Sequence, residues 1–391
     1  MKRILLGALS FLLAAVSMLT VALCIPSSLP ANSDFSAIYN TDIALVHRVP
    51  IYNLPAVREV AIKTSGLSGE HFFLARFPYP PWYALSTFYL GMLPARSAAT
   101  LWFELNLVML FFSIWFLTDG WPGRLRLVAF PLALFFLPVL GAMSIGQYSF
   151  PVLVGASMLV YSLRKENVSL TTLGAALLTF KPHVGVLILL SVLTYLTLSR
   201  SNFGRRAMRS ILLTGVFLCV AGLIADSSWY VSYPKMLLNY QGEGNVSSCS
   251  ECASLPVWLS RWLLDGKLIQ AALIAAVLLV VLAALFFLFR ASLLRSHELL
   301  LNVALLVTLL VSPYLYSYDY ILLLVPFLFL LFPKSGVVEK FIVLISYLMP
   351  LVFISAFGRA GNISLLASTL LIGALVFLRV KSSVDVPTFA A

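Results

Sequence analysis

Long apolar runs separated by short polar or basic stretches set the expected architecture. They lie near residues 97–118, 127–145, 148–163, 168–181, 182–199, 211–225, 268–289, 298–313, 319–333, 341–357 and 363–379, with a further run over residues 4–25. A perpendicular crossing takes about 20 residues at 1.5 Å each. Backbone groups in lipid are satisfied within a helix, and these runs lack the alternation of barrel strands. The pattern predicts an all-α polytopic membrane protein with about twelve transmembrane helices. Met1-Lys2-Arg3 resembles the start of a signal peptide. The apolar region behind it exceeds the usual length of about 7–15 residues, so a retained first span with an inside N-terminus is expected.

Two stretches interrupt the apolar pattern, residues 26–96 and 226–267. Loops of this length are usually functional. The first ends in Arg76-Phe-Pro-Tyr-Pro-Pro-Trp-Tyr and a short apolar piece, 84–93, read as a helix lying along or dipping into the membrane. Parity supports that reading. Counting from the basic loop Arg200–Arg209 puts Arg124/Arg126, Arg164/Lys165, Arg290/Arg295, Lys334/Lys340 and Arg379/Lys381 on one side, with Lys2-Arg3. The positive-inside rule makes that side cytoplasmic, with both termini. Residues 26–96 and 226–267 are then outer loops of a single domain over 1–391.

Composition agrees. Hydrophobic residues make up 61% and charged residues 10%, against about 25% charged in a soluble domain; the mean hydropathy is +0.99. The net charge of +11 follows from cationic short loops, and no basic tract with interleaved aromatics suits nucleic acid. Cys24 and Cys219 lie in apolar surroundings. Cys249-Ser-Glu-Cys252 stands without a second C-x-x-C or a His pair, which disfavours zinc; in an outer loop its plain reading is a local disulfide.

Polar groups collect at the outer ends of the expected spans: Asp34 and Arg76, then Gly146-Gln147-Tyr148, Lys181-Pro182-His183 and Tyr318-Asp319-Tyr320. Each has two readings. Asp34 is either a general base near the membrane surface or the cap of a helix starting at Phe35. Gln147 caps or bridges helices, Lys181 snorkels to headgroups, or Asp319 favours a helix N-terminus. Taken together, four clusters on one face suggest a site. No Walker loop, nucleophile elbow, H-E-x-x-H or EF-hand motif is present, and the outer loops hold no D-x-D motif for a metal-bound nucleotide. No metal or cofactor is expected. What remains fits a base that activates a hydroxyl and cations that receive a departing phosphate.

The order Ser33-Asp34-Phe35…Tyr39, Tyr79-Pro80-Pro81, Leu101-Trp102…Asn106, Gly146-Gln147-Tyr148, Lys181-Pro182, Ser312-Pro313 and Tyr318-Asp319-Tyr320 resembles the polyprenyl-phosphate-sugar-dependent membrane glycosyltransferases of glycosyltransferase family 87, over roughly the whole chain. The resemblance implies a GT-C fold and metal-independent, inverting transfer of a sugar, commonly mannose. The donor is a polyprenyl-phosphate sugar and the acceptor a glycan or glycolipid, at the outer face of what is expected to be a bacterial plasma membrane. It implies that an Asp in the first outer loop is the base, and Asp34 occupies that position. In the resulting expectation, Lys181 and Arg76 meet the leaving phosphate, while Gln147, Tyr148, His183, Tyr318 and Asp319 hold sugar or acceptor. Asp42 is read as structural. The rival is a transporter or flippase of lipid-linked sugars, which predicts inverted repeats and mid-membrane ionisable groups. A ligase using a polyprenyl diphosphate predicts more outer cations.

Overall fold

The computed structural model describes residues 33–65, 77–239, 252–331 and 335–384. The expected first span, 4–25, lies outside them. The described residues are helical, and their one extended pairing is an antiparallel bridge between Cys252 and Tyr316. In order the helices are α1 (Phe35–Val46), α2 (Leu54–Ser65), α3 (Pro81–Thr87), α4 (Ala95–Leu117), α5 (Gly123–Leu134), α6 (Leu137–Ser144), α7 (Ser149–Arg164), α8 (Val168–Leu178) and α9 (Pro182–Ser199). They continue as α10 (Asn202–Ala225), α11 (Trp229–Asn239), α12 (Leu255–Leu263), α13 (Leu268–Arg295), α14 (His297–Val311), α15 (Leu324–Leu330), α16 (Val337–Phe357) and α17 (Ile363–Val384). Short 3-10 turns occupy Phe88–Met92, Ser317–Leu323 and Gly358–Asn362.

Lipid acts as the solvent for the long helices. Along α4, Ala98, Trp102, Asn106, Leu110 and Ile114 recur every four residues and are buried, which places them on one face. Val108, Phe111, Phe112 and Trp115 are exposed on the other. The polar residue is inside and the large apolar ones outside, the reverse of a soluble helix. α10 behaves alike: Gly204, Ala207, Gly222 and Ala225 are buried, while Leu213, Val216, Phe217 and Ile224 are exposed. The chain is thus an integral membrane protein. Four described helical segments, Ala95–Leu117, Pro182–Ser199, Asn202–Ala225 and Val337–Val380, are long and apolar enough to cross a membrane, or five if α5 and α6 count as one bent span. Others, such as α7, α8 and α14, run 16, 11 and 15 residues, so length alone does not establish twelve crossings. The expected 127–145 span is two helices bent by 55°, because Pro131 and Pro138 each remove an amide donor.

α7 is the central element, buried on nearly every side and about 24 Å long at 1.5 Å per residue. It gives the molecule two ends. At its C-terminal end, Arg164 pairs with Glu298 at 3.0 Å and Asp119 at 3.7 Å, and Lys165 pairs with Asp119 at 3.1 Å. Residues 146–149 and the starts of α9 and of the turn Ser317–Leu323 meet at the other end. The short helices of the first polar stretch sit there too. α3 and the turn after it cover only 7 and 5 residues, too few to cross about 30 Å of hydrocarbon.

α1 is fixed tightly. The Tyr39 hydroxyl donates to the Leu93 carbonyl at 2.9 Å. A Cβ on Gly91 would lie 2.3 Å from the Asp42 carbonyl carbon, so only glycine lets this turn approach α1 so closely. Asp42 is fully buried, with one carboxyl oxygen accepting from Thr87 Oγ1 at 3.1 Å and the other without a partner. Burial pushes its carboxyl well above the ordinary carboxylate range, so it is held protonated and serves packing. A raised folded-state pKa stabilises the fold most below the unfolded value near 3.8, and that contribution is lost as pH rises towards the folded value. Asp42→Asn keeps the volume and the bond to Thr87 without titrating. Its stability relative to wild type is therefore expected to improve by up to about 1.4 kcal/mol per pH unit in that window. Thermal unfolding at several pH values checks this; a difference that stays constant contradicts it.

Candidate functional site

Asp34 stands at the N-cap of α1, but its side chain makes no capping bond. Its Oδ2 accepts from Gln147 Nε2 at 2.5 Å. The amide's orientation is set from its other side, where Gln147 Oε1 accepts the Tyr148 N–H at 2.6 Å. The Tyr148 hydroxyl donates to the Asp34 carbonyl at 2.6 Å, and the Phe35 N–H to the Ile145 carbonyl at 3.1 Å. Backbone and carboxylate are thus fixed separately. The turn that presents Gln147 needs Gly146, which has φ +66° and leaves only 2.7 Å between a built Cβ and Phe35 Cβ. Trp102 Nε1 donates to the Gly146 carbonyl at 2.9 Å, tying α4 to the same turn.

Beside this pair lies a buried ion pair. Lys181 is 2% exposed in its side chain and Asp319 0%; Lys181 Nζ contacts Asp319 Oδ1 and donates to Ser149 Oγ at 3.1 Å. Ser149 Oγ donates to Asp319 Oδ1 at 2.6 Å. Asp319 Oδ2 accepts the Tyr316 N–H at 3.2 Å, so this carboxylate both caps its turn and pairs with lysine. Lys181 does not snorkel. Its ammonium faces inward, 5.0 Å from the centre of the Tyr318 ring.

The segment Gln147-Tyr148-Ser149 joins the two centres, since Gln147 holds Asp34 and Ser149 holds Asp319. Asp34 and Asp319 both act electrostatically on the Tyr318 hydroxyl. Aromatic rings close around them: Tyr79 lies 4.3 Å from Tyr148 between centroids, and Tyr83 stacks on Phe180 at 4.6 Å. His183 stands further off, with its ring 5.9 Å from that of Tyr314. Of the residues expected at a site, Asp34, Gln147, Tyr148, Lys181, Tyr318 and Asp319 come together, His183 borders them, and Arg76 lies outside the described residues. Ser149 and Tyr316 take part without having been singled out; the signal for Ser149 was its place directly after Gln147-Tyr148. Cys252 is disulfide-bonded, while Cys249 is outside the described residues. Among the described residues no three His, Cys, Asp or Glu side chains gather to hold a metal ion.

This arrangement offers a fixed carboxylate, a buried cation and an aromatic wall, which suits proton abstraction from a hydroxyl next to a charged or polar group. A model of glycosyltransferase family 87 matches residues 77–313. That range covers the Gln147 turn and Lys181, starting after Asp34 and stopping before Tyr318-Asp319. No curated protein matches, and no solved structure does.

Proposed function

Because the chain belongs to glycosyltransferase family 87 and is a membrane glycosyltransferase, we propose that it moves a hexose, probed first as mannose, from a polyprenyl phosphate to an acceptor hydroxyl, with Asp34 as the base. The observation that carries this reading is the Asp34 carboxylate itself. It stands at a helix start but is held by Gln147 rather than spent on a cap, and it shares a site with a buried lysine.

In this reading transfer is a single displacement at the outer membrane surface. An acceptor oxygen attacks the anomeric carbon while its proton passes to the Asp34 carboxylate. The new C–O bond forms as the bond from that carbon to the phosphate oxygen breaks, and the electron pair leaves with the polyprenyl phosphate. Lys181 offsets the growing charge on the phosphate, with Asp319 and Ser149 fixing its position; Arg76 is assigned the same role from the sequence. Sugar and acceptor lie against Gln147, Tyr148, His183, Tyr318 and Asp319. Twelve crossings, with the basic helix ends inside, complete the arrangement and put the Asp34 end outside.

The donor class is tested by giving purified protein in nanodiscs radiolabelled mannose on a polyprenyl monophosphate, on a polyprenyl diphosphate or on a nucleotide diphosphate, with a lipid extract as acceptor. Transfer from the monophosphate alone is expected; transfer only from either diphosphate overturns the donor assignment. The Asp34–Gln147 contact makes a second prediction. Gln147→Glu would bring two carboxylates within hydrogen-bonding distance, and such a pair resists double ionisation. The acid limb of the pH–rate profile is expected to move up by at least about one unit, because Asp34 must lose its proton to work. An unmoved limb contradicts its role as base.

A further inference from the structure

The loop that delivers Asp319 is pinned to the second polar stretch. Cys252 bridges to Tyr316, and the Ala253 N–H donates to the Leu315 carbonyl at 2.9 Å. Carrying this antiparallel register on by one residue sets Ser254 opposite Tyr314, where paired side chains stand on the same side. Tyr314 and Tyr316 pack against the cluster of Cys252, Val257 and Ala271, consistent with that register. α9 adds His183, edge-on to Tyr314. Three buried polar atoms in this region have no hydrogen-bond partner: Ser254 Oγ, Trp258 Nε1 and His183 Nε2. Trp258 lies in the first turn of α12, its N–H bonded to the carbonyl of Ser254, the residue that precedes the helix, at 3.1 Å. Buried polar groups are nearly always paired, so orphans on the two elements that meet at Tyr314, the bridge segment leading into α12 and the start of α9, ask for a partner.

Their chemistry limits what that partner is. A hydroxyl, an indole N–H and an imidazole offer single hydrogen bonds rather than the fixed positive charge that phosphate recognition favours. An apolar chain would leave all three atoms unpaired. Tyrosine rings run from His183 along the bridge: the Tyr314 and Tyr316 hydroxyls are 3.0 Å apart, and Tyr316 stacks on Tyr318 with centroids 5.1 Å apart. Neutral hydrogen-bonding groups beside aromatic faces suit a pyranose, whose C–H face packs on a ring while its hydroxyls bond to the polar atoms.

We propose that Ser254, Trp258 and His183, together with Tyr314 and Tyr316, form a hexopyranose subsite on the α12 side of the Lys181–Asp319 centre. It rests on the glycosyl-transfer reading and deepens it by assigning a sugar contact to the second polar stretch. The sugar belongs to the donor or to the acceptor, and the experiment separates these.

Saturation-transfer NMR on the full chain in nanodiscs, with methyl α-D-mannopyranoside and methyl α-D-glucopyranoside as probes, measures sugar binding without turnover. Ser254→Ala and Trp258→Phe are each expected to weaken binding of the preferred probe by about 3–10-fold, the worth of one hydrogen bond. Ser254→Ala deletes an unpaired atom, so its melting temperature is expected to stay level or rise, whereas a structural role for the hydroxyl would lower it. Displacement of the probe by polyprenyl-phosphate mannose assigns the subsite to the donor; persistence assigns it to the acceptor. Wild-type affinity in both variants, or no binding of either probe to wild type, overturns the proposal and leaves the three atoms to water. Transfer measured on the same preparations keeps the two readings apart. A wild type that transfers, with variants that bind sugar normally, defeats the subsite alone. Variant-sensitive sugar binding without transfer defeats the catalytic reading alone.

Discussion

Asp34→Asn is expected to lower sugar transfer by about 10²–10⁴-fold, the usual contribution of a positioned general base, while leaving the fold intact. The substitution preserves the contact to Gln147 and the backbone bonds that fix the segment. Asparagine Oδ1 still accepts from Gln147 Nε2, and no capping bond is lost because Asp34 makes none. What disappears is the capacity to take a proton. The melting temperature is therefore expected to match that of wild type, and the loss to fall on kcat more than on KM. Asparagine caps helices as well as aspartate does, so an Asp34 that served only α1 would give an active variant. Initial rates and thermal unfolding measured on the same preparations decide between the two.

The largest stability effect is expected at the buried ion pair. Removing one partner strands a desolvated charge, at a cost of about 3–5 kcal/mol. Asp319→Leu leaves Lys181 at 2% exposure with Ser149 Oγ and the face of Tyr318 as its contacts among the described residues, and a steep fall in melting temperature follows. The double variant Lys181→Met/Asp319→Leu removes both charges and is expected to recover much of that loss, since apolar replacement of a whole buried pair is often neutral or stabilising. Transfer is expected to stay strongly reduced in the double variant, because Lys181 no longer meets the leaving phosphate. A double variant that is both stable and active would reduce Lys181 and Asp319 to packing.

The polar members of the site were legible because each is costly in an apolar chain. Asp34, Gln147, Lys181 and Asp319 stand out against 10% charged residues overall. Their pairing was not legible. Gln147 reaches Asp34 across 113 residues and Lys181 reaches Asp319 across 138, and spacing along a chain carries no information about such contacts. Lys181 shows the consequence: alone it reads as a snorkelling cation, yet its partner turns it inward. Trp102 belonged to a recognised motif, but its indole bond to the Gly146 carbonyl depends on how α4 packs. Helix positions followed hydropathy well, as at 97–118 against the observed Ala95–Leu117. The number of crossings is not fixed by it, because apolar content says nothing of breaks. The 319–333 run is a 3-10 turn followed by a 7-residue helix. The orphan atoms of Ser254 and Trp258 left no mark in the sequence, since they depend on the bridge between Cys252 and Tyr316.

The most direct test is the anomeric configuration of the product. Protein purified into nanodiscs is given polyprenyl-phosphate mannose of one defined anomer with a lipid extract, and the new linkage is read by NMR for wild type and Asp34→Asn. Single displacement with Asp34 as base predicts an inverted linkage from wild type and almost no product from the variant. A retained linkage would exclude a single back-side displacement, and it or an undiminished Asp34→Asn would contradict the account.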